Sequence, residues 1–211
     1  ESDFYLPADW EKQSGVIVGG LDDAATFEMT VELSKNSKVY CNDVDTMVEI
    51  HKKKILAAGG NIDNIYFIPS STEYWYAQRD GIMFTKSGND EKQIINFQWN
   101  AYGWYFIPEA QSFMEADKKD REAYIKVQNN TFSYPVISSV MVNEGGAIET
   151  NGKGTILQVE TLNMQRNPGM SKLEQENELK RVLNCKKVIW LKEGVAEDPF
   201  GKGALITENY F

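Results

Sequence analysis

The apolar residues of this chain come in short runs cut off by glycine, proline or polar turns, and that punctuation limits its possible folds most strongly. Val16-Ile17-Val18 ends at Gly19-Gly20, and Ile65-Tyr66-Phe67-Ile68 ends at Pro69. Both read as buried strands, as do Val39-Tyr40, Val136-Ile137 and Val188-Ile189-Trp190-Leu191. Two pairs of runs face each other across turns and predict hairpins: residues 81–85 with 93–97 around Ser87-Gly88-Asn89-Asp90, and residues 147–149 with 155–157 around Asn151-Gly152-Lys153-Gly154. Helices are expected after Gly20, over residues 44–58, where Val44, Met47, Val48, His51 and Ile55 share one face before Gly59-Gly60, and around residues 113–127. Ser171 with Glu174 forms a capping box that opens a further helix ending near Asn184.

Strand, strand, helix, strand therefore occurs about three times, the first copy being the least regular. Each copy spans roughly 50 to 70 residues, beyond the ~20 to 50 residue period of a solenoid. The expected class is α/β, one domain over residues 1–211 built from a repeated supersecondary unit. Gly203-Ala204-Leu205-Ile206-Thr207 reads as the first strand of another unit, which the chain leaves unfinished. A repeat that stops part-way exposes an edge or an apolar face, so a second chain or a homodimer is expected to complete it.

Several function classes drop out. No run approaches the ~20 apolar residues of a membrane span. With 22 Lys and Arg against 31 Asp and Glu the net charge is -9, which disfavours a phosphate-tracking nucleic-acid binder and favours a small cationic partner. Two cysteines, Cys41 and Cys185, make neither a disulfide framework nor a metal knuckle, and the single His51 excludes a multi-histidine zinc site. No metal or other cofactor is expected. The opening residues lack a basic start and an apolar stretch, as they would with no leader or with a leader already removed.

The densest chemical signal is Thr72-Glu73-Tyr74-Trp75-Tyr76-Ala77-Gln78-Arg79-Asp80-Gly81. A carboxylate beside aromatic walls is what a planar guanidinium requires, the acid accepting two hydrogen bonds and a ring face taking the cation. An aromatic loop end with a surface Arg79-Asp80 pair is the plainer alternative. Gln98-Trp99-Asn100-Ala101-Tyr102-Gly103-Trp104-Tyr105 and Asn143-Glu144-Gly145-Gly146 read as two further binding loops, or as ordinary core aromatics and a tight turn. His51, between Met47 and Ile55, reads as a satisfied core histidine, and both cysteines read as inert buried thiols.

Together these stretches resemble the agmatine deiminase and bacterial (Porphyromonas-type) peptidylarginine deiminase family, whose fold is that of the pentein class. Leu6-Pro7-Ala8-Asp9-Trp10-Glu11 is similar to the family's opening Met-Pro-Ala-Glu-Trp-Glu, residues 74–80 to its Trp-x-Arg-Asp segment, and residues 97–103 to its Phe-Asn-Ala-Trp-Gly stretch. Residues 143–154 resemble the Glu-Gly-Gly hairpin, and Arg166-Asn167-Pro168, Met170-Ser171-Lys172 and residues 187–191 continue the likeness. The resemblance implies a pentein-like α/β propeller of five units, about three of them in this chain. It also implies a guanidine-group deiminase in which a cysteine thiolate attacks the guanidine carbon, a histidine moves protons, and two carboxylates hold the guanidinium. On that template Asp80 is the first of those carboxylates, and Trp75, Asn100 and Glu144 line the pocket. Agmatine, the dication, is favoured over peptidylarginine, and with it the resemblance implies a cytoplasmic location, the alternative being a secreted protein whose leader has been removed.

Three departures stand out. The family's histidine lies in a Gly-His-x-Asp segment after the Ile-Trp-Leu strand and its nucleophilic cysteine comes later still, so both are expected outside these residues. Ala77 replaces a tryptophan three positions before the aspartate, with Trp75 nearby. Val18-Gly19-Gly20 stands where many members have Ala-Trp-Pro. The alternative reading is a non-catalytic, shortened module that binds a cationic ligand or a partner protein.

Overall fold

The computed structural model describes residues 3–70, 82–106 and 111–194, and the fold is mixed α/β with three three-stranded sheets. The chain divides into two compact units, one of residues 12–81 with 120–133, the other of residues 1–11, 82–119 and 134–211.

In the first unit β1 (Val16–Gly19), β2 (Val39–Val44) and β3 (Ile65–Ser70) lie side by side, all parallel, joined by α1 (Ala24–Ser34) and α2 (Val48–Ala57). Helix α1 starts at Asp23, whose Oδ1 accepts the Thr26 N–H at 2.8 Å and satisfies one of the donors that every helix start leaves open. Val18, Leu21, Val31, Val39, Cys41, Ile55 and Ile65 close into one core. Both helices expected between these strands form, so this copy runs strand, helix, strand, helix, strand and departs from the strand, strand, helix, strand order of the other two. One boundary differs. The second helix begins at Val48 rather than Val44, since Val44 is still paired with Ser70 in the sheet.

In the second unit the strand, strand, helix, strand order holds twice. Strands β4 (Met83–Lys86) and β5 (Lys92–Gln98) form the expected hairpin, α3 (Gln111–Phe132) follows, its residues from Asp120 onward counted with the first unit, and β6 (Val136–Val142) returns parallel to β5. Then β7 (Glu149–Thr150) and β8 (Thr155–Val159) pair antiparallel, and β9 (Lys187–Leu191) lies parallel to β8. Helix α5 (Lys172–Leu183) opens on the capping box of Ser171 and Glu174. An unexpected short helix, α4 (Glu160–Arg166), stands before it. Ile95, Phe97, Met141, Ile156, Leu179, Val182, Leu183, Cys185 and Val188 make the core between these strands and α5.

The opening arm belongs to this unit. Tyr5 bridges Lys86 antiparallel, Asn184 donates to the Phe4 carbonyl at 2.6 Å, and Glu11 ties off the turn by accepting from the Ala8 N–H and from Lys86, both at 2.9 Å. A Cβ at Gly152 would stand 3.0 Å from the Ala8 nitrogen on a backbone with φ of +66, so the hairpin tip needs glycine where the arm passes. Among the described residues no helix is long and apolar enough to cross a membrane. The expected strand at residues 203–207 lies outside the described residues.

Candidate functional site

Parallel neighbours bring their carboxyl ends to the same edge of a sheet, where loops collect and ligands bind in α/β folds. Strands β5 and β6 are such a pair, and Asn100 and Glu144 each follow two residues after the last strand residue. Strand β4 starts at that edge too, Met83 standing opposite Ile95. The pairing is irregular: Asn96 faces Ser138 but Gln98 faces Val142, so β6 carries a bulge. A bulge bends the strand and re-aims the loop beyond it. The bulge is held from α5, where Glu178 Oε1 accepts from Ser139 Oγ at 2.8 Å and the Val140 N–H at 3.0 Å, and Arg181 donates to the Ser138 carbonyl at 2.8 Å. Arg181 beside it, with those two donors, pulls the Glu178 carboxyl down to about 2.

Asn100 and Glu144 meet on one residue, Arg166, at the end of α4. The Arg166 Nε donates to Glu144 Oε1 at 2.5 Å, its side chain 1% exposed and that of Glu144 10%. Asn100 Nδ2 donates to the Arg166 carbonyl at 3.0 Å, while Asn100 Oδ1 accepts the Gly103 N–H at 3.1 Å. Arg166 Nη1 is also bonded to Gln165 Oε1. The loop after Asn100 is tightly wound, with Ala101, Tyr102 and Gly103 all at positive φ of 51, 59 and 86. Two non-glycine residues there store roughly 1–3 kcal/mol each. At the third position the φ of +86 strains any side chain, and a Cβ would also press on Arg166 Nη1 at 2.9 Å, so glycine suits it. Trp99 and Tyr102 pack edge to face with centroids 6.3 Å apart.

Asn167 adds a second clamp. Its amide accepts the Val142 N–H at 2.8 Å and donates to the Val142 carbonyl at 3.0 Å, as a neighbouring strand would, immediately before Asn143 and Glu144. Gly145-Gly146 forms a turn of 3-10 helix with Ala147, whose N–H reaches the Glu144 carbonyl at 3.0 Å. The site roles read in the sequence gave Arg166 and Asn167 no part. The one local signal is Asn167-Pro168, which stops a helix at a charged residue. Asp80 and Trp75 lie outside the described residues, as does Ala77.

The remaining titratable candidates are engaged elsewhere. His51 is 1% exposed; its Nδ1 is 2.9 Å from Asp43 Oδ2 and its Nε2 is 3.3 Å from Asp22 Oδ1. Both partners are acceptors, so an imidazolium satisfies both and a neutral ring satisfies one. Burial pushes the Cys41 thiol up to about 12, with the Asp43 charge adding to it, and burial pushes Cys185 up to about 11. Among the described residues no group of three or more His, Cys, Asp or Glu side chains could hold a metal ion.

Comparison with known proteins places these loops in context. The family model for Porphyromonas-type peptidyl-arginine deiminase matches residues 5–203. Agmatine deiminase of Medicago truncatula is 28% identical over 92% of this chain and 55% of its own length. The chain thus spans about half the length of the curated relatives it matches along most of its own length. Among solved structures, agmatine deiminase of Enterococcus faecalis superposes with a TM-score of 0.69 at 19% identity, over 91% of this chain and 54% of that one. A substrate-bound C. jejuni agmatine deiminase superposes with a TM-score of 0.66 at 20% identity, over 91% and 57%. At such identities the superpositions establish a shared fold.

Proposed function

Since the chain belongs to the Porphyromonas-type peptidyl-arginine deiminase family, we propose that it forms the guanidinium-binding part of a guanidine-group deiminase acting on agmatine. In this reading Asp80 accepts the two N–H groups of the substrate guanidinium, Trp75 stacks on it, and Asn100 and Glu144 line the opposite wall. A thiolate attacks the guanidine carbon, ammonia leaves with a proton delivered by a histidine, and water then cleaves the thioester-like carbon–sulfur bond to give the ureido product and free thiol. Guanidinium plus water thus becomes urea derivative plus ammonium.

The thiol and the histidine come from outside these 211 residues in this reading. What supports that placement is the state of the residues present: Cys41 and Cys185 are buried with raised pKa values, and His51 is bound between two carboxylates. The family match, which runs across the loops carrying Asn100 and Glu144, is the observation that carries the function itself. A net charge of -9 favours agmatine, a dication, over an arginine within a peptide. A pentein-like propeller with about three of five units in this chain, completed by a further segment or a second chain, and a cytoplasmic location complete the reading.

The test is ammonia release from agmatine and from an arginine peptide by the full-length protein, with Asp80→Asn alongside. Agmatine is expected to yield one ammonia per ureido product, and Asp80→Asn to lose at least about a hundredfold in kcat/KM. Binding of agmatine with no ammonia released, under conditions where the protein is folded, would instead favour a non-catalytic binding module.

A further inference from the structure

We infer that Arg166 is a positioning residue for the deiminase site, orienting the Glu144 carboxylate with its side chain and the Asn100 amide with its backbone carbonyl; this rests on the function proposed above. Glu144 sits on a loop after a bulged strand, and a carboxylate there would sample several rotamers if nothing held it. The 2.5 Å contact from Arg166 Nε fixes one of its oxygens. The same residue's carbonyl takes Asn100 Nδ2 at 3.0 Å, so the two pocket walls, on loops 44 positions apart in sequence, share one anchor. Asn167 pins the strand end at Val142 from the next position along, so the Arg166-Asn167 pair sets both the height of the loop and the aim of its carboxylate.

Two observations separate this from a purely structural ion pair. Arg166 Nη2 is buried without a hydrogen-bond partner among the described residues, and so is Asn143 Oδ1 in the adjoining residue of the Glu144 loop. A fold gains little from burying a guanidinium whose donors are incompletely used, since the desolvation is not fully offset. Gly103 lies against the same guanidinium and follows two non-glycine residues held at positive φ, so backbone strain sits beside this one guanidinium.

The experiment compares wild type, Arg166→Lys, Arg166→Gln and a control remote from the site, Lys153→Ala at the exposed β7-β8 hairpin tip, in the full-length protein, reading kcat, KM, the pH dependence of kcat/KM and the thermal midpoint. Lysine keeps the charge but loses the rigid fork, so kcat is expected to fall about tenfold or more while KM stays within about threefold. Glutamine removes the cation, so the acid limb of kcat/KM is expected to move up by about one pH unit, as a carboxylate does when a neighbouring guanidinium is lost. Lys153→Ala is expected to leave both unchanged. If the Arg166 variants lose activity only in proportion to their thermal midpoints, with KM and the acid limb unmoved, the role is structural and the inference is wrong. Wild type that releases no ammonia from any guanidine overturns the proposed function itself, an outcome distinct from failure of the Arg166 variants in an active enzyme.

Discussion

A thiol that attacks a guanidine carbon must first be a thiolate, and both cysteines here are held far from that state. Cys41 lies on β2 inside the first unit's core, and Cys185 follows α5 in the core of the second. With pKa values of about 12 and about 11, they are almost wholly protonated near neutrality. Iodoacetamide at a pH of about 8 is therefore expected to label neither in the folded protein and both after unfolding in denaturant, as read by intact mass. Labelling of Cys185 in the folded state would make it a candidate nucleophile again. Asp43 and His51 illustrate the same point for polar groups: each is 1% exposed, and their mutual contact satisfies the burial without chemistry.

At the scale of elements, α5 and the β6 bulge depend on each other through Glu178. Its carboxyl lies near 2 when folded and near 4.5 ordinarily, so it favours the folded state above pH about 4.5 and that contribution is lost as pH falls through about 2. The pair is half open on the Arg181 side, 52% exposed, which limits the contribution to roughly 1–3 kcal/mol. Glu178→Gln is expected to lower urea stability by that amount at pH 7 and to match wild type near pH 2; an equal gap at both pH values would show that the loss is steric. Much at this scale was legible in the sequence. Ser171 and Glu174 announced α5, and the turns at Ser87-Gly88 and Asn151-Gly152 announced both hairpins, because caps and turns are written in adjacent residues. Helix α4 has no such local signature, since its buried faces are Asn163 and Arg166, polar residues whose burial is decided by Gln158 and Glu144 rather than by apolar spacing. The start of α2 falls later than the pattern suggests because Val44 suits a helix face equally well until Ser70 pairs with it. Asn100 and Glu144 were legible as loop residues, but their shared anchor was not, because Arg166 lies 66 and 22 positions away from them.

At the scale of the whole molecule the two core clusters have no residue in common. Ile55 is fully buried in one and Leu179 in the other, so truncating either to alanine is expected to cost about 2–5 kcal/mol. Hydrogen exchange is expected to speed up for amides of residues 12–70 in Ile55→Ala and of residues 134–194 in Leu179→Ala. Uniform acceleration in both variants would show that the units open only together. The arm at Tyr5 adds a consequence for how the chain is made. Its bridging partner Lys86 is synthesised 81 residues after it. At roughly 5–20 residues per second the ribosome takes several seconds to cover that distance. During that wait the β1-β2-β3 sheet, finished at Ser70, can form from nearby segments while the arm has nothing to pair with. The segment around Tyr5 thus finds its place only after that sheet can already stand.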